Sequence, residues 1–166
     1  MTEKYAVFHV VPLNCQLEDL KKGGPHFHWD DNLPLYIGLL PRKNPKSEEC
    51  KWFEYKNSHI VHVGNAYDAP NGLVFMDAPL THVNGMAKPF PRKDDATPYD
   101  FLAPIPHTYV RFELDPRSEK KFVQPKVLAQ VNGEYPTVDP RVSTRDYTHV
   151  FMACFDESQK DVQRRP

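Results

Sequence analysis

Seventeen prolines against seven glycines constrain this chain more than any other feature. Each proline fixes φ and removes a backbone donor, so helices longer than a few turns are interrupted and strands are cut short. Between the prolines lie β-branched and aromatic runs. Tyr5 to Val11 ends at Pro12 and reads as a buried strand, and Leu35 to Leu40 sits between Pro34 and Pro41. Lys51 to Tyr55, His59 to Val63 and Leu73 to Met76 are three further short strands, with Asn71-Gly72 as a hairpin turn. His107 to Asp115 alternates at period two, with Val110, Phe112 and Leu114 on one face and Tyr109, Arg111 and Glu113 on the other. Phe122 to Val131, interrupted by Pro125, is an edge or bent strand, and Tyr147 to Phe155 is a last apolar one. Leu17 to Lys22 makes one or two helical turns.

The expectation is therefore an all-β chain, a sandwich, barrel or set of propeller blades, in one domain spanning residues 1–166. Residues 79–106 form a long proline-rich insertion and 156–166 a charged tail. No internal repeat is legible.

A formal charge of -1 argues against the positive field of a nucleic-acid binder. Mean hydropathy is -0.63, and no run approaches the roughly 20 apolar residues of a transmembrane helix. No signal peptide is visible at the start, and Cys15, Cys50 and Cys154 lack CxxC spacing. The expected address is cytoplasmic, with the cysteines as buried small hydrophobes.

Imidazole is a ready ligand for iron, zinc or copper, which makes the histidines the candidate chemistry. His62, on the expected strand from His59 to Val63, is the first candidate. Strand alternation puts it on the face of Ile60, toward the interior, with His59 outside. The pair His26 and His28 is the rival, since HxH on an extended segment projects both rings to one side. A polar loop edge beside Trp29 is the plainer reading of that pair. His9, His82, His107 and His149 have no companion at ligand spacing and are expected in surface or hydrogen-bonded core roles.

Four segments together resemble the carotenoid cleavage oxygenase family, which includes lignostilbene dioxygenases and the retinal-pigment-epithelium retinoid isomerase. Tyr36-Ile37-Gly38-Leu39-Leu40-Pro41-Arg42, preceded by Trp29-Asp30, is similar to the family's Ile-Gly-Val-hydrophobic-Pro-Arg strand. Trp52-Phe53-Glu54 resembles the approach to its metal strand. His62-Val63-Gly64-Asn65-Ala66-Tyr67-Asp68 resembles its His-x-x-Asn-Ala-aromatic-Glu signature, with aspartate for glutamate and a glycine where bulkier residues are frequent. Gly133-Glu134-Tyr135-Pro136-Thr137-Val138-Asp139-Pro140-Arg141 resembles Glu-Phe-Pro-x-Ile-Asp-x-Arg.

The resemblance implies part of a seven-bladed β-propeller with Fe(II), that is Fe2+, held on its axis by four histidines. His62 matches the third ligand, and Glu134 matches a glutamate that accepts that ligand's ring N–H. The implied activity is a dioxygenase that cleaves an alkene bond of a carotenoid, apocarotenoid or stilbene with dioxygen. Phe90, Tyr99 and Phe101 are candidates for contacts to such a substrate, although packing under a long loop is the plainer role. The other three ligands are expected outside residues 1–166, which makes the chain an internal piece, incomplete and inactive alone. The alternative is a non-catalytic β-module that binds a hydrophobic ligand or a partner chain.

Overall fold

The computed structural model describes residues 1–23, 27–81 and 106–154. Among these described residues, eleven strands fall into four antiparallel sheets. The first joins β1 (Tyr5–Val10), β4 (Leu35–Pro41) and β5 (Lys51–Tyr55) in the order β1-β4-β5. A two-stranded ribbon pairs β2 (Leu13–Asn14) with β3 (His28–Trp29). The largest sheet has the order β6-β7-β8-β9, from β6 (Asn65–Asp68), β7 (Val74–Leu80), β8 (Thr108–Leu114) and β9 (Lys126–Ala129). A second ribbon pairs β10 (Gly133–Thr137) with β11 (Phe151–Cys154) and packs beside β7. Helix among the described residues is one short segment, Leu17–Lys21, and two 3-10 turns.

The core lies between the first sheet and the largest one. Leu35, Ile37, Leu39, Phe53 and Tyr55 meet Ala66, Val74, Met76, Ala78, Leu80, Val110, Phe112 and Leu114 in one buried cluster. The period-two reading of β8 explains Val110, Phe112 and Leu114. Tyr109, on the opposite face, is buried as well, because the segment carrying Tyr147 covers that face. At the Asn71-Gly72 turn Gly72 has φ +83, the conformation glycine adopts without a Cβ clash. Gly38 serves a close approach instead: Phe8 lies across it and meets Trp52 edge-on, at 5.2 Å between ring centroids.

Several expectations are corrected. Strand β1 ends at Val10 and is an edge, so Phe8 and Val10 are exposed rather than buried. The run from Phe122 to Val131 splits at Pro125. Lys121 and Val123 bond to Glu54 on the first sheet, while Lys126–Ala129 pairs with β8 on the other. The last strand is Phe151–Cys154 only, and Phe151 is exposed. Cys15 and Cys154 are exposed and Cys50 half-buried, all as free thiols, so none fills the core. Pro79 and Leu80, assigned above to the insertion, belong to β7. Most of that insertion (82–105, with His82, Phe90, Tyr99 and Phe101), His26 and the tail lie outside the described residues.

Candidate metal centre

No strand forms over His59 to Val63. His59 makes a single antiparallel bridge with Thr81, and regular pairing resumes only at Asn65 opposite Asp77. Six steps along one chain segment thus face four along the other, so two extra residues bulge out between the anchors. Pro79, which has no N–H to donate, sits in β7 opposite this stretch. The bulge cancels the alternation argument. His59 is buried at 4 % exposure and His62 is the open one, with 43 % of its side chain exposed. Both orientations are the reverse of those expected from a straight strand.

Glu134 lies on β10 at an irregularity between Glu134 and Thr137. Tyr135 takes φ +57 there, a left-handed conformation uncommon for a bulky residue. Two contacts follow from this turn. The Tyr135 backbone N–H donates to Oε2 of Glu134 at 2.9 Å, and the Tyr135 ring covers the His62 ring at 4.7 Å between centroids. Nδ1 of His62 is 3.1 Å from the same Oε2. A carboxylate only accepts, so this nitrogen carries the proton, and in the neutral ring Nε2 is the nitrogen left with its lone pair. A half-exposed imidazole with Nε2 free and Nδ1 held by a carboxylate fits one arm of a metal site.

Further imidazoles surround the pair. Nε2 of His107, whose side chain is 6 % exposed, lies 3.5 Å from Oε1 of Glu134. Burial, then the proximity of His9 and His107, pushes His59 down to about 4. Burial lowers His9 too, offset in part by its bond to the Ile60 carbonyl and reinforced by His62. Both rings are therefore neutral at pH 7. Spacing along the chain, which left His9 and His107 without companions, gave no sign of this gathering. Among the described residues no group of three or more His, Cys, Asp or Glu is arranged to hold a metal. The described residues fit one ligand with its orienting carboxylate. His26 and the side chain of His28 lie outside what the structure describes.

The signature around His62 has structural roles beyond the imidazole. Asn65 is buried and clamps the segment after β10: its Nδ2 donates to the Arg145 carbonyl at 3.0 Å and the Val142 carbonyl at 3.4 Å, and its Oδ1 accepts from Thr144 N–H at 3.0 Å. Gly64 leaves room for the Tyr109 hydroxyl, which a Cβ at position 64 would strike. Asp68, standing where glutamate is commoner, accepts the Lys4 backbone N–H at 3.1 Å.

Behind the cluster, fully buried Asp77 takes a bidentate pair of bonds from Arg111, both 2.8 Å, and a third from the Tyr147 hydroxyl at 2.6 Å. Tyr147 meets Tyr109 at 3.0 Å. Burial first, and the charge of Asp77 in addition, hold both phenols protonated, pushing Tyr109 up to about 12 and Tyr147 higher. Nothing in the sequence pattern signalled this network, because its members share no spacing.

The family model described as retinal pigment epithelial membrane protein matches residues 1–164. Resveratrol cleavage oxygenase 1 of Aspergillus fumigatus is 35 % identical over 157 residues, covering 94 % of this chain and 31 % of that protein. Lignostilbene-alpha,beta-dioxygenase isozyme III of Sphingomonas paucimobilis is 33 % identical over 159 residues, covering 94 % and 32 %. The crystal structure of Pseudomonas brassicacearum lignostilbene dioxygenase superposes with a TM-score of 0.80 at 33 % identity, over 93 % of this chain and 32 % of that one. The chain spans about a third of the length of the relatives it matches, and its sheets are a part of their propeller. By that match over nearly its whole length, and with the His62 and Glu134 segments inside it, the chain belongs to the retinal pigment epithelial membrane protein family of carotenoid and stilbene cleavage oxygenases.

Proposed function

We propose that this chain supplies one iron-binding arm of a non-haem Fe(II) oxygenase that cleaves an alkene bond of a stilbene, carotenoid or apocarotenoid. The observation that carries the reading is the contact of His62 Nδ1 with Glu134 at 3.1 Å. It leaves Nε2 as the donor nitrogen and sets a negative charge behind a neutral imidazole, which raises ligand basicity. Ferrous iron, when bound, supplies the activation of dioxygen. The chain's own residues orient and shield: Glu134 fixes the ring, and Tyr135 covers one face of it. The exposed Tyr135 ring offers an aromatic surface next to the ligand for a small hydrophobic substrate. Both substrate types stay within the proposal, since relatives above 30 % identity are named for resveratrol and lignostilbene and also for carotenoids.

One imidazole gives no chelation, so the isolated chain holds iron weakly. The test is ferrous iron added anaerobically to the chain while the histidine ring signals are followed by NMR. Paramagnetic broadening reaches His62 first, and His62→Ala abolishes that response. Broadening that begins at His26 and His28, or that ignores the histidines, contradicts the proposal.

The non-catalytic β-module is a second reading. It is favoured by the exposed apolar side chains of Phe8, Val10 and Trp52. Saturable binding of a hydroxystilbene without iron, unchanged by His62→Ala, would support it.

A further inference from the structure

Glu134 is bonded on one side only. Its Oε2 accepts from both His62 Nδ1 and the Tyr135 backbone, whereas its buried Oε1 has no hydrogen-bond partner. Buried carboxylate oxygens are rarely left so, and each exception calls for an explanation. A donor stands nearby: His107 Nε2 is 3.5 Å from Oε1, at the outer limit of hydrogen-bond reach. The other ring nitrogen of His107, Nδ1, is also buried without a partner. A proton on Nδ1 would strand a buried donor, so the proton belongs on Nε2, aimed at the negative oxygen. The backbone of His107 reaches the same turn from a second direction. Its N–H donates at 3.3 Å to Oδ1 of Asn132, which lies just before Gly133 and Glu134.

We infer that His107 is the positioning residue for Glu134: its Nε2–H bonds the free Oε1 and locks the carboxylate that orients His62. The carboxylate then carries one imidazole on each oxygen, His62 toward the open side and His107 toward the core. A shift of a few tenths of an ångström closes the second bond. The role assigned to His107 is exerted through Glu134. This inference deepens the function proposed above and rests on it for its consequence, but the linkage itself can be read in metal-free protein.

The experiment is ring-nitrogen NMR of histidine in the 166-residue chain without metal. His107 is expected as the Nε2–H tautomer and His62 as the Nδ1–H tautomer with a protected ring proton. In His107→Leu the His62 ring proton exchanges fast and its tautomers mix. His107→Gln, whose side-chain amide can reach Oε1, restores the protected state. In the ferrous titration, apparent affinity at His62 falls roughly tenfold in His107→Leu and not in His107→Gln. An Nδ1–H tautomer of His107 in the unsubstituted chain overturns the inference, whatever the variants' folding. So does an unchanged His62 proton in a folded His107→Leu chain. If the tautomers are as stated while iron ignores His62, the linkage stands and the functional proposal alone fails.

Discussion

Nδ1 of His62 and Oε2 of Glu134 stand 3.1 Å apart although 72 residues separate them in the chain. The contact depends on two irregularities, a bulge that turns His62 out of the sheet and a left-handed Tyr135 that turns Glu134 toward it. Neither lies in a regular strand position. The site is therefore held by the parts of the fold least determined by strand pairing, and the elements that pin those parts can be tested one at a time.

Acid should destabilise the chain through His59. Its folded value is lowered from 6.5 to about 4, chiefly by burial. The unfolded chain therefore takes up that proton first as pH falls. The contribution to stability is complete above pH 6.5 and is lost between there and pH 4, amounting to about 2 kcal/mol by pH 5. His9, shifted the same way, adds to the slope. Urea melts at pH 7.5 and pH 5 measure the loss, and His59→Gln should flatten it. An equal slope in that variant would rule out His59 as the cause.

Asn65 is expected to matter for the segment it clamps more than for His62 directly. Asn65→Ala removes the bonds to Thr144 N–H and the Arg145 carbonyl, while the Val142 carbonyl keeps the one from Arg145 N–H, and should cost about 1–3 kcal/mol. Asn65→Asp keeps the bond from Thr144 and loses both donated ones. Amide exchange reads the difference: Thr144 should lose protection in Asn65→Ala and keep part of it in Asn65→Asp.

The buried charge pair is the most sensitive point of the larger sheet. Arg111→Met leaves Asp77 buried without a cation and should cost roughly 3–5 kcal/mol. Adding Asp77→Leu removes the stranded charge and should recover much of that loss. A double variant no more stable than Arg111→Met would show that packing of Arg111 against Tyr67 and Phe75, rather than the ion pair, is what counts.

The sequence was informative wherever a side chain's position follows from local periodicity. The faces of β8, the turn at Gly72 and the apolar run of β4 were all legible because strand geometry is regular there. His62 and Glu134 were picked out through a resemblance of motifs, and the structure brings the two into contact. Their surroundings were not legible. Two extra residues opposite Pro79 reverse the inside and outside of His59 and His62, and alternation has no means of registering a bulge. His107 and His9 reach the cluster through sheet packing over long separations. The Asp77 network joins residues from β7, β8 and the segment before β11, with no common spacing to reveal it.

The central claim, that Glu134 turns His62 so that Nε2 is the free donor, is tested most directly by the ring-nitrogen shifts of His62 in the unsubstituted chain and in Glu134→Leu. The account predicts a protonated Nδ1 and an unprotonated Nε2 in the former, with the preference lost in the latter. A His62 protonated at Nε2, or one whose tautomer ignores the loss of Glu134, would contradict it.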